Sequence, residues 1–278
     1  MTTVIKVGGA RAVDPAGALS DVESLYDDGE DVAVVHGGST AVDDTLERLG
    51  MEPEYVETPS GVVGRFTDAD TMEVFEMVFG HLNTQLVAGL QSLGVDAVGL
   101  SGVDGKLLSG PRKSAVRVVE DGKKKIRRGD HSGTIKAVNT DLLESLLDGG
   151  YVPVASPPMA GADDGDVIPV NTDADRSAAA IAGALGGRLV LLTDVEGVYE
   201  DPDDPATLIE AVETAADWER LEAAAEGFMS RKVMAAREAL EAGADEVIVA
   251  DANADEPILS ALSGGGTHLY RSAVEATE

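Results

Sequence analysis

Two lysines and one aspartate that lie far apart in the chain are candidates for a site that binds an anion. Lys6 stands within the apolar run "TVIKV", where a buried ammonium is costly unless it meets a negative charge. Lys232 in "GFMSRK" is predicted in the first turn of a helix, where a cation opposes the helix dipole and a local structural role is disfavoured. Asp175 in "NTDADR" is expected in the first turn of another helix. The alternatives are a lysine at a sheet edge that extends to water and an aspartate that caps its helix.

Glycine pairs follow two of the predicted strands. Gly8 and Gly9 end "VIKVGG", and Gly37 and Gly38 end "VAVVHGG". In open α/β sheets ligands bind at the carboxyl ends of strands, and glycine lets backbone N–H groups approach phosphate or carboxylate oxygens closely. A single glycine pair is usually only a tight turn, so it is the repetition at two strand ends that favours an anion site.

The elements that must position these residues alternate regularly along the chain. The strands are predicted at 3–7, 31–35, 95–100, 151–155, 188–192 and 245–250. The clearest helices are predicted at 68–94, 172–187 and 230–244. Continuous apolar strands joined by helices are typical of parallel sheets covered on both faces. The sequence therefore predicts a three-layer αβα sandwich with an open, mostly parallel central sheet.

The segment 115–128 interrupts this alternation. It reads as two strands around Asp121-Gly122, a dipeptide typical of two-residue hairpin turns. The window 106–136 holds ten of the 21 basic residues and three of the 51 acidic residues, so its charge is near +7 in a chain of net charge −30. We expect an antiparallel hairpin with a basic surface. Its lysines could instead repel edge pairing, or pair with acidic patches of the same subunit or of a dimer partner.

Composition excludes several functions. The absence of cysteine rules out disulfides, thiolate metal sites and a cysteine nucleophile, and it favours a cytoplasmic protein, as does the lack of a visible signal peptide. The acidity argues against nucleic-acid binding and resembles the surface chemistry of salt-loving organisms. The sequence contains no Walker A loop, G-x-G-x-x-G after the first strand, G-x-S-x-G elbow or H-E-x-x-H pair, and its four histidines are scattered. Each histidine is expected to be structural or exposed.

Seven segments in order resemble the amino acid kinase family: "KVGG", "HGG", "GRFTDADTMEVFEMV", "GLSGVDG", "NTDAD", "LLTDVEGVY" and "GFMSRK". The nearest branch is similar to the N-acetylglutamate kinases. Within it, "PSGVVGRFTDADTMEVF" at 59–75 looks more like the kinases that act on glutamate or aminoadipate attached to the LysW carrier protein. The resemblance implies the carbamate kinase-like fold in a single domain, 1–278. Residues 1–171 would form an N-terminal lobe for the acceptor, and residues 172–278 would form a C-terminal lobe for ATP.

The resemblance also implies roles for residues at the matching positions. Lys6 and Lys232 would meet the transferring phosphoryl group from opposite sides, and Asp175 would hold both lysines. The phosphate and nucleotide site would comprise Lys6, Gly8, Gly9, Thr193, Asp194, Gly197, Tyr199 and Lys232. The acceptor site would comprise Gly37, Gly38, Arg65 and Asn171. The cofactors implied are ATP and Mg²⁺, with the metal held mainly by the phosphates of ATP.

The activity implied is ATP-dependent phosphorylation of the side-chain carboxylate of glutamate or aminoadipate on LysW, in arginine or lysine biosynthesis. A carboxylate acceptor is already ionised, so cations and backbone amides suffice without a general base. The likeness also implies a homodimer. An acidic carrier would dock on the basic hairpin through Lys123, Lys124, Lys125, Arg127 and Arg128. The alternatives are an N-acetylglutamate kinase acting on the free acid and a nucleotide- or amino-acid-sensing module without catalysis.

Overall fold

The computed structural model describes residues 1–8, 15–59, 61, 63–120 and 122–275. The strands are β1 Thr3–Val7, β2 Val32–His36, β3 Tyr55–Glu57, β4 Val63–Arg65, β5 Ala97–Gly102, β6 Leu108–Glu120, β7 Lys123–Gly133, β8 Ala137–Val138, β9 Val152–Asp163, β10 Asp166–Val170, β11 Arg188–Thr193, β12 Ala211–Val212, β13 Glu246–Asp251 and β14 Thr267–Tyr270. The helices are α1 Pro15–Asp27, α2 Ser39–Arg48, α3 Ala69–Ser92, α4 Thr140–Asp148, α5 Ala174–Leu185, α6 Ala215–Ala224, α7 Gly227–Ala242 and α8 Pro257–Leu262.

One sheet forms the middle layer, and β1 lies near its centre. Across the described residues the strand order is β12-β14-β13-β11-β1-β2-β9-β6-β7, with β5 and β10 paired to β9 and β8 paired to β6. The pairs around β1 are parallel: β1 with β2 and β11, β11 with β13, and β2 with β9. The carboxyl ends of β1, β2 and β11 therefore lie at the same edge of the sheet.

Alternation along β1 shows why both faces of the sheet are covered. Val4 and Ile5 are both fully buried, yet they belong to separate apolar clusters. Val4 packs with α5 and α7, including Ile181 and Ala236, whereas Ile5 packs on the side that includes Ala18 of α1. Helices therefore cover the sheet on two sides, and the predicted three-layer fold with a mostly parallel sheet is confirmed.

The six predicted strands and three predicted helices are all present, with shifts of a few residues at their ends. Asp68 caps α3, because its carboxylate accepts a hydrogen bond from the backbone N–H of Thr71 at 2.9 Å. The predicted strand at 151–155 was too short, since β9 continues to Asp163 and pairs antiparallel with β10. The small hairpin of β3 and β4 carried no strong signal and was not predicted.

The basic hairpin is β6 paired antiparallel with β7, at the edge of the sheet. Asp121, half of the predicted turn, lies outside the described residues, whereas Gly122 adopts a φ of 72°. The glycine therefore occupies the positive-φ conformation that such a turn requires. Among the helices of the described residues, none is both long and apolar enough to cross a membrane.

Candidate active site

The two predicted lysines meet at one carboxylate. Lys6 Nζ lies 2.8 Å from Asp175 Oδ1, and Lys232 Nζ lies 3.3 Å from Asp175 Oδ2. Only 8% of the Lys6 side chain and 14% of each of the other two side chains are exposed. Residues separated by more than 225 positions thus form a cluster with one excess positive charge. Such a cluster is suited to an incoming anion.

Asp175 is free to pair with the lysines because another residue caps helix α5. The carboxylate of Asp173 accepts the N–H of Arg176 at 3.0 Å, so Asp173 is the N-cap and Asp175 lies in the first turn. The alternative of Asp175 as the helix cap is therefore wrong. Its carboxylate remains available to the lysine side chains.

Helix α7 brings Lys232 to the same place, although its position in the helix differs from the prediction. The helix begins at Gly227, so Lys232 lies in the second turn and the prediction of the first turn was wrong. The dipole argument for its role is correspondingly weaker, and burial beside Asp175 replaces it. Helices α5 and α7 approach closely because Gly183 faces Ala242, where an added Cβ would lie 2.5 Å from the alanine Cβ.

Burial and charge have opposing effects on these groups. Burial raises the pKa of Asp175, but the charges of Lys6 and Lys232 outweigh it and hold the pKa below its ordinary value of 3.8. Burial, followed by the charge of Lys6, lowers the pKa of Lys232 below 10.5, and Asp175 offsets part of that shift. The carboxylate is therefore ionised at neutral pH, where it partly balances the two ammonium groups.

The glycine turn after β2 leads directly into α2, whose N-terminus faces the cluster across a shared cavity. The first intrahelical bond runs from Val42 N–H to Gly38 O, so the N–H groups of Ser39 and Thr40 precede the helical ladder. Gly37 and Gly38 both line the cavity. The N–H of Gly37 donates to Val7 O at 3.2 Å and is already used, whereas Gly38 N–H has no bond to another described residue.

Three side chains, one from β2 and two from α3, complete the surroundings of Gly38. Burial lowers the pKa of His36 to about 4, a hydrogen bond to Gly37 O raises it in part, and the charge of Lys6 lowers it further. His36 is thus a neutral, 2% exposed side chain, in line with the expected structural role. Its ring stacks on Phe79 of α3 with centroids 5.7 Å apart. An added Cβ at Gly38 would lie 2.7 Å from Leu82 Cδ1, so a larger residue there would require the Leu82 side chain to move.

The predicted acceptor residue Arg65 lies in the cavity and already has a partner. Its Nη1 donates to Asp43 Oδ1 at 2.6 Å, and its Nη2 donates to the carbonyl and hydroxyl oxygens of Ser39 at 3.0 and 2.8 Å. Tyr55 OH donates to the other oxygen of Asp43 at 2.8 Å. Asp43 and Ser39 were not singled out from the sequence. Their spacing of four residues, which places both on one face of α2, was the available signal.

Asn171 lines the same cavity from the strand side. Its side-chain Nδ2 donates to the hydroxyl of the fully buried Thr67 at 2.9 Å. Its backbone joins β7 through the bonds from Asn171 N–H to His131 O and from Gly133 N–H to Asn171 O. The Asn171 side chain is thereby tied to Thr67, and no described residue forms a hydrogen bond with its Oδ1.

The residues assigned to the nucleotide separate into two pairs. Thr193 and Asp194, at the end of β11, line the cavity together with Gly8. Gly197 and Tyr199 do not line it, and Tyr199 OH donates to Glu196 at 2.8 Å. Gly197 packs tightly instead, since an added Cβ would lie 2.6 Å from the Thr267 hydroxyl. Gly9 lies outside the described residues.

A cavity of about 1310 Å³ joins these groups and continues toward the basic hairpin. Its lining includes Lys6, Lys232 and Asp194 at one end and Lys113 and Val116 of β6 at the other. Arg231, beside Lys232, donates a hydrogen bond to the carbonyl of Val63. Helix α7 thereby contacts β4, the strand that carries Arg65.

The basic hairpin has two different faces. Arg127 is on the inner face, where it forms a bidentate ion pair with Glu54 and lies over the Phe66 ring at 4.2 Å from the centroid. Lys125 is paired with Glu120 at 2.7 Å. The alternation of a strand places Lys124, Ile126 and Arg128 on the opposite face. There Ile126 is 67% exposed, and Lys124 and Arg128 form no ion pair with a described residue.

Comparison with known proteins identifies the family and the fold of this chain. The family model described as the amino acid kinase family matches residues 1–251. The chain belongs to the amino acid kinase family. The carbamate kinase of Giardia lamblia, solved with AMP-PNP, shares its fold with a TM-score of 0.69 at 15% identity, over 97% of this chain and 98% of that one.

Sequence relatives place the chain within the family. It is 45% identical to the LysW-aminoadipate kinase of Deinococcus radiodurans over 266 residues, which cover 95% of this chain and 90% of the relative. It is 48% identical to the acetylglutamate kinase of Methanopyrus kandleri over 250 residues, which cover 88% and 93%. The amino acid kinase family implies ATP as co-substrate, and the cluster at Asp175 lies within the matched region.

Proposed function

We propose that this protein is an ATP-dependent kinase that phosphorylates the side-chain carboxylate of glutamate or aminoadipate attached to a LysW-type carrier protein. The observation that carries the proposal is the pair of buried lysines held by Asp175 in a cavity that reaches a basic hairpin. The LysW-aminoadipate kinase of Deinococcus radiodurans, at 45% identity, supports the carrier-bound acceptor. The product is an acyl phosphate used in lysine or arginine biosynthesis.

The chain supplies two cations, an orienting carboxylate and a backbone N–H for the transfer. A carboxylate oxygen of the acceptor attacks the γ-phosphorus, the bond to the β-phosphate oxygen breaks, and ADP leaves with that electron pair. No proton moves, because the attacking carboxylate is already ionised. Lys6 and Lys232 offset the negative charge on the phosphoryl oxygens. Asp175 holds the two ammonium groups in position, and Gly38 N–H supplies an uncharged hydrogen-bond donor.

ATP would bind at the carboxyl ends of β1 and β11, where Gly8, Thr193 and Asp194 line the cavity. We propose that Mg²⁺ arrives with ATP and is held mainly by its phosphates. Within the described ranges no three His, Cys, Asp or Glu side chains are grouped so as to hold a metal ion. The lysines at Asp175 are complementary to a triphosphate in charge, so the site fits the bound nucleotide.

The acceptor would occupy the part of the cavity between α2 and β7. Asn171 presents its amide oxygen there, and Arg65 presents a guanidinium that Asp43 partly neutralises. An α-carboxylate could reach Arg65 only by sharing it with Asp43, so Arg65 alone gives modest affinity. A carrier with its own docking surface would supply the remaining affinity.

We propose that the outer face of the basic hairpin, defined by Arg117, Lys124, Ile126 and Arg128, is that docking surface. Three cations around an exposed isoleucine suit an acidic protein with a small apolar contact. Arg127 and Lys125 are less suitable, because Glu54 and Glu120 already pair with them. Lys123 lies next to the turn and extends the positive charge.

An ADP-release assay with purified LysW-type carrier tests the proposal. Carrier-bound aminoadipate, carrier-bound glutamate, free glutamate and free N-acetylglutamate are compared as acceptors. We expect turnover with a carrier-bound acceptor and a rise in its KM of about tenfold or more when Lys124 and Arg128 are both changed to Glu. Reversal of the inner pair, Lys125 and Glu120, is the matched control. Unchanged carrier kinetics in the outer-face variant would remove the docking role.

A second candidate is an acetylglutamate kinase acting on the free acid. The 48% identity to the Methanopyrus kandleri enzyme favours it, over a somewhat shorter part of the chain. The same assay separates the two functions. Turnover with N-acetylglutamate alone supports the second candidate and refutes the carrier-bound acceptor. Absence of turnover with every acceptor, with nucleotide binding retained, would support a sensing module.

We also propose a homodimer that pairs α3 with its copy. Residues 77–95 contain no Asp, Glu, Lys or Arg, although the chain has a net charge of −30. Met77, His81, Thr84 and Ala88 are exposed along this stretch of α3. Two acidic chains meet most readily where neither is charged. A double change of Thr84 and Ala88 to Glu should give a monomer by light scattering, and a persistent dimer would exclude this interface.

We also propose a role for each lobe, a surface adapted to high salt and a cytoplasmic location. Residues 1–171 would bind the acceptor and residues 172–278 would bind ATP, with β1 and β11 joined in one sheet between them. The acidic surface would keep a cytoplasmic enzyme soluble at high salt, as in halophilic organisms. At molar salt the Debye length is about 3 Å, so carrier docking would depend on close contacts.

A further inference from the structure

The hydrogen bonds of His36 define which ring nitrogen carries its proton. Asn83 Nδ2 donates to Val154 O at 2.8 Å, and this carbonyl can only accept, so the amide orientation is fixed. The same Nδ2 lies 3.2 Å from His36 Nε2 and must donate to it. Nε2 is therefore the unprotonated nitrogen, and Nδ1 carries the hydrogen of the neutral ring.

The protonated nitrogen is directed at the glycine turn. His36 Nδ1 lies 3.0 Å from Gly37 O, so Nδ1–H donates to that carbonyl. On the other side of the same residue, Gly37 N–H donates to Val7 O at 3.2 Å. Both peptide units that flank Gly37 are thus fixed to the protein, one through its N–H and the other through its C=O.

Peptide geometry then sets the direction of the next donor. In a trans peptide the carbonyl of one residue and the N–H of the next point in opposite directions. The described cis peptide is Pro157-Pro158, so the Gly37-Gly38 unit is trans. Because His36 holds Gly37 O on the buried side, Gly38 N–H is turned away from His36, and Gly38 lines the cavity that contains Lys6.

We propose that His36 is a positioning residue for phosphoryl transfer: its Nδ1–H holds the Gly37-Gly38 peptide plane so that Gly38 N–H faces the transferring phosphoryl group. Asn83 selects the required tautomer, and the ring of Phe79 fixes the imidazole plane. The chain Asn83–His36–Gly37 transmits the position of α3 to the reacting centre without any contact between His36 and substrate. The inference rests on the proposed phosphoryl transfer.

Two substitutions separate positioning from packing. Asn at position 36 places an N–H near the site of Nδ1, whereas Gln places its polar atoms near Nε2. We expect His36→Gln to lower kcat about 10²-fold, the scale for loss of one preorganised oxyanion donor, with the KM for ATP nearly unchanged. His36→Asn should keep kcat within roughly tenfold of the unchanged enzyme. Both variants lose the same ring, so melting temperatures report the packing effect separately.

The outcomes are distinct. Equal losses of kcat in the Gln and Asn variants, or turnover of the Gln variant within about threefold of the unchanged enzyme, overturn the positioning role. The position of the proton on the His36 ring can also be measured in the unchanged protein, independently of variant folding and of activity. Nitrogen NMR of the imidazole should show the neutral ring with the proton on Nδ1, and Asn83→Asp should shift that pattern. A proton on Nε2 in the unchanged protein would overturn the inference even if the kinase activity were confirmed, whereas inactivity toward every acceptor would count against the proposed function alone.

Discussion

Replacement of Asp175 by Asn tests the charge cluster most directly. The change keeps the shape of the side chain but removes the counter-charge of two buried ammonium groups. At an effective dielectric constant of about 20, the ion pairs at 2.8 and 3.3 Å correspond to roughly 6 and 5 kcal/mol of attraction. Much of this is offset because the buried carboxylate no longer has to be desolvated and one lysine can lose its proton.

The expected net loss is therefore about 3 to 5 kcal/mol in the free energy of unfolding, the range for removal of one partner from a buried pair. Denaturant unfolding of both proteins at neutral pH measures it. The pKa of Asp175 is lowered in the folded protein, so its contribution is complete above its ordinary value of 3.8 and is lost as pH falls below that value. The difference between the two proteins should be constant near neutrality and shrink in acid.

Nucleotide binding provides a further check on the same variant. The phosphates of ATP bring negative charge to Lys6 and Lys232, so a non-hydrolysable analogue should recover part of the lost stability. The melting temperature should rise more on binding in the Asn variant than in the unchanged protein. Turnover should fall by about 10²- to 10³-fold, because the lysines lose their fixed positions. A stability loss under about 1 kcal/mol with near-normal turnover would refute the cluster as described.

Three further outcomes follow from the same structure. Because the pKa of Lys232 is lowered, kcat/KM should begin to fall at a pH below 10.5 on the alkaline side of its pH profile. Lys232→Arg should move this fall to higher pH. An alkaline fall unchanged by the substitution would contradict the assignment of Lys232. Gly197→Ala should destabilise the fold by about 1 to 3 kcal/mol, because its Cβ would lie 2.6 Å from the Thr267 hydroxyl, whereas Gly80→Ala, which meets open space, should not destabilise it. Raising KCl from about 0.1 to 3 M should raise the melting temperature, since salt screens the self-repulsion of a chain with net charge −30, and a fall would argue against a salt-adapted surface.

The order of strands and helices was predictable because their signals are local. Apolar runs such as 188–192 and capping residues such as Asp68 encode an element within a few positions. Helix starts were less certain. No side chain caps α7, so the sequence carried no marker that placed its beginning at Gly227 rather than three residues later. The extension of β9 beyond 155 was also hidden, because its last residues are specified by pairing with β10.

By itself the sequence determined the residue types of the site, the family to which they are similar and the uneven distribution of charge. Lys6, Asp175 and Lys232 could be named from their local settings. That one carboxylate holds both lysines was an expectation from the family resemblance, and the residues alone could not derive it, since the contact depends on how α5 and α7 pack over β1. Only the tertiary structure decided that Arg65 and Arg127 have acidic partners more than 20 residues away. A charged side chain looks available in a sequence, and only packing decides whether another residue already satisfies it.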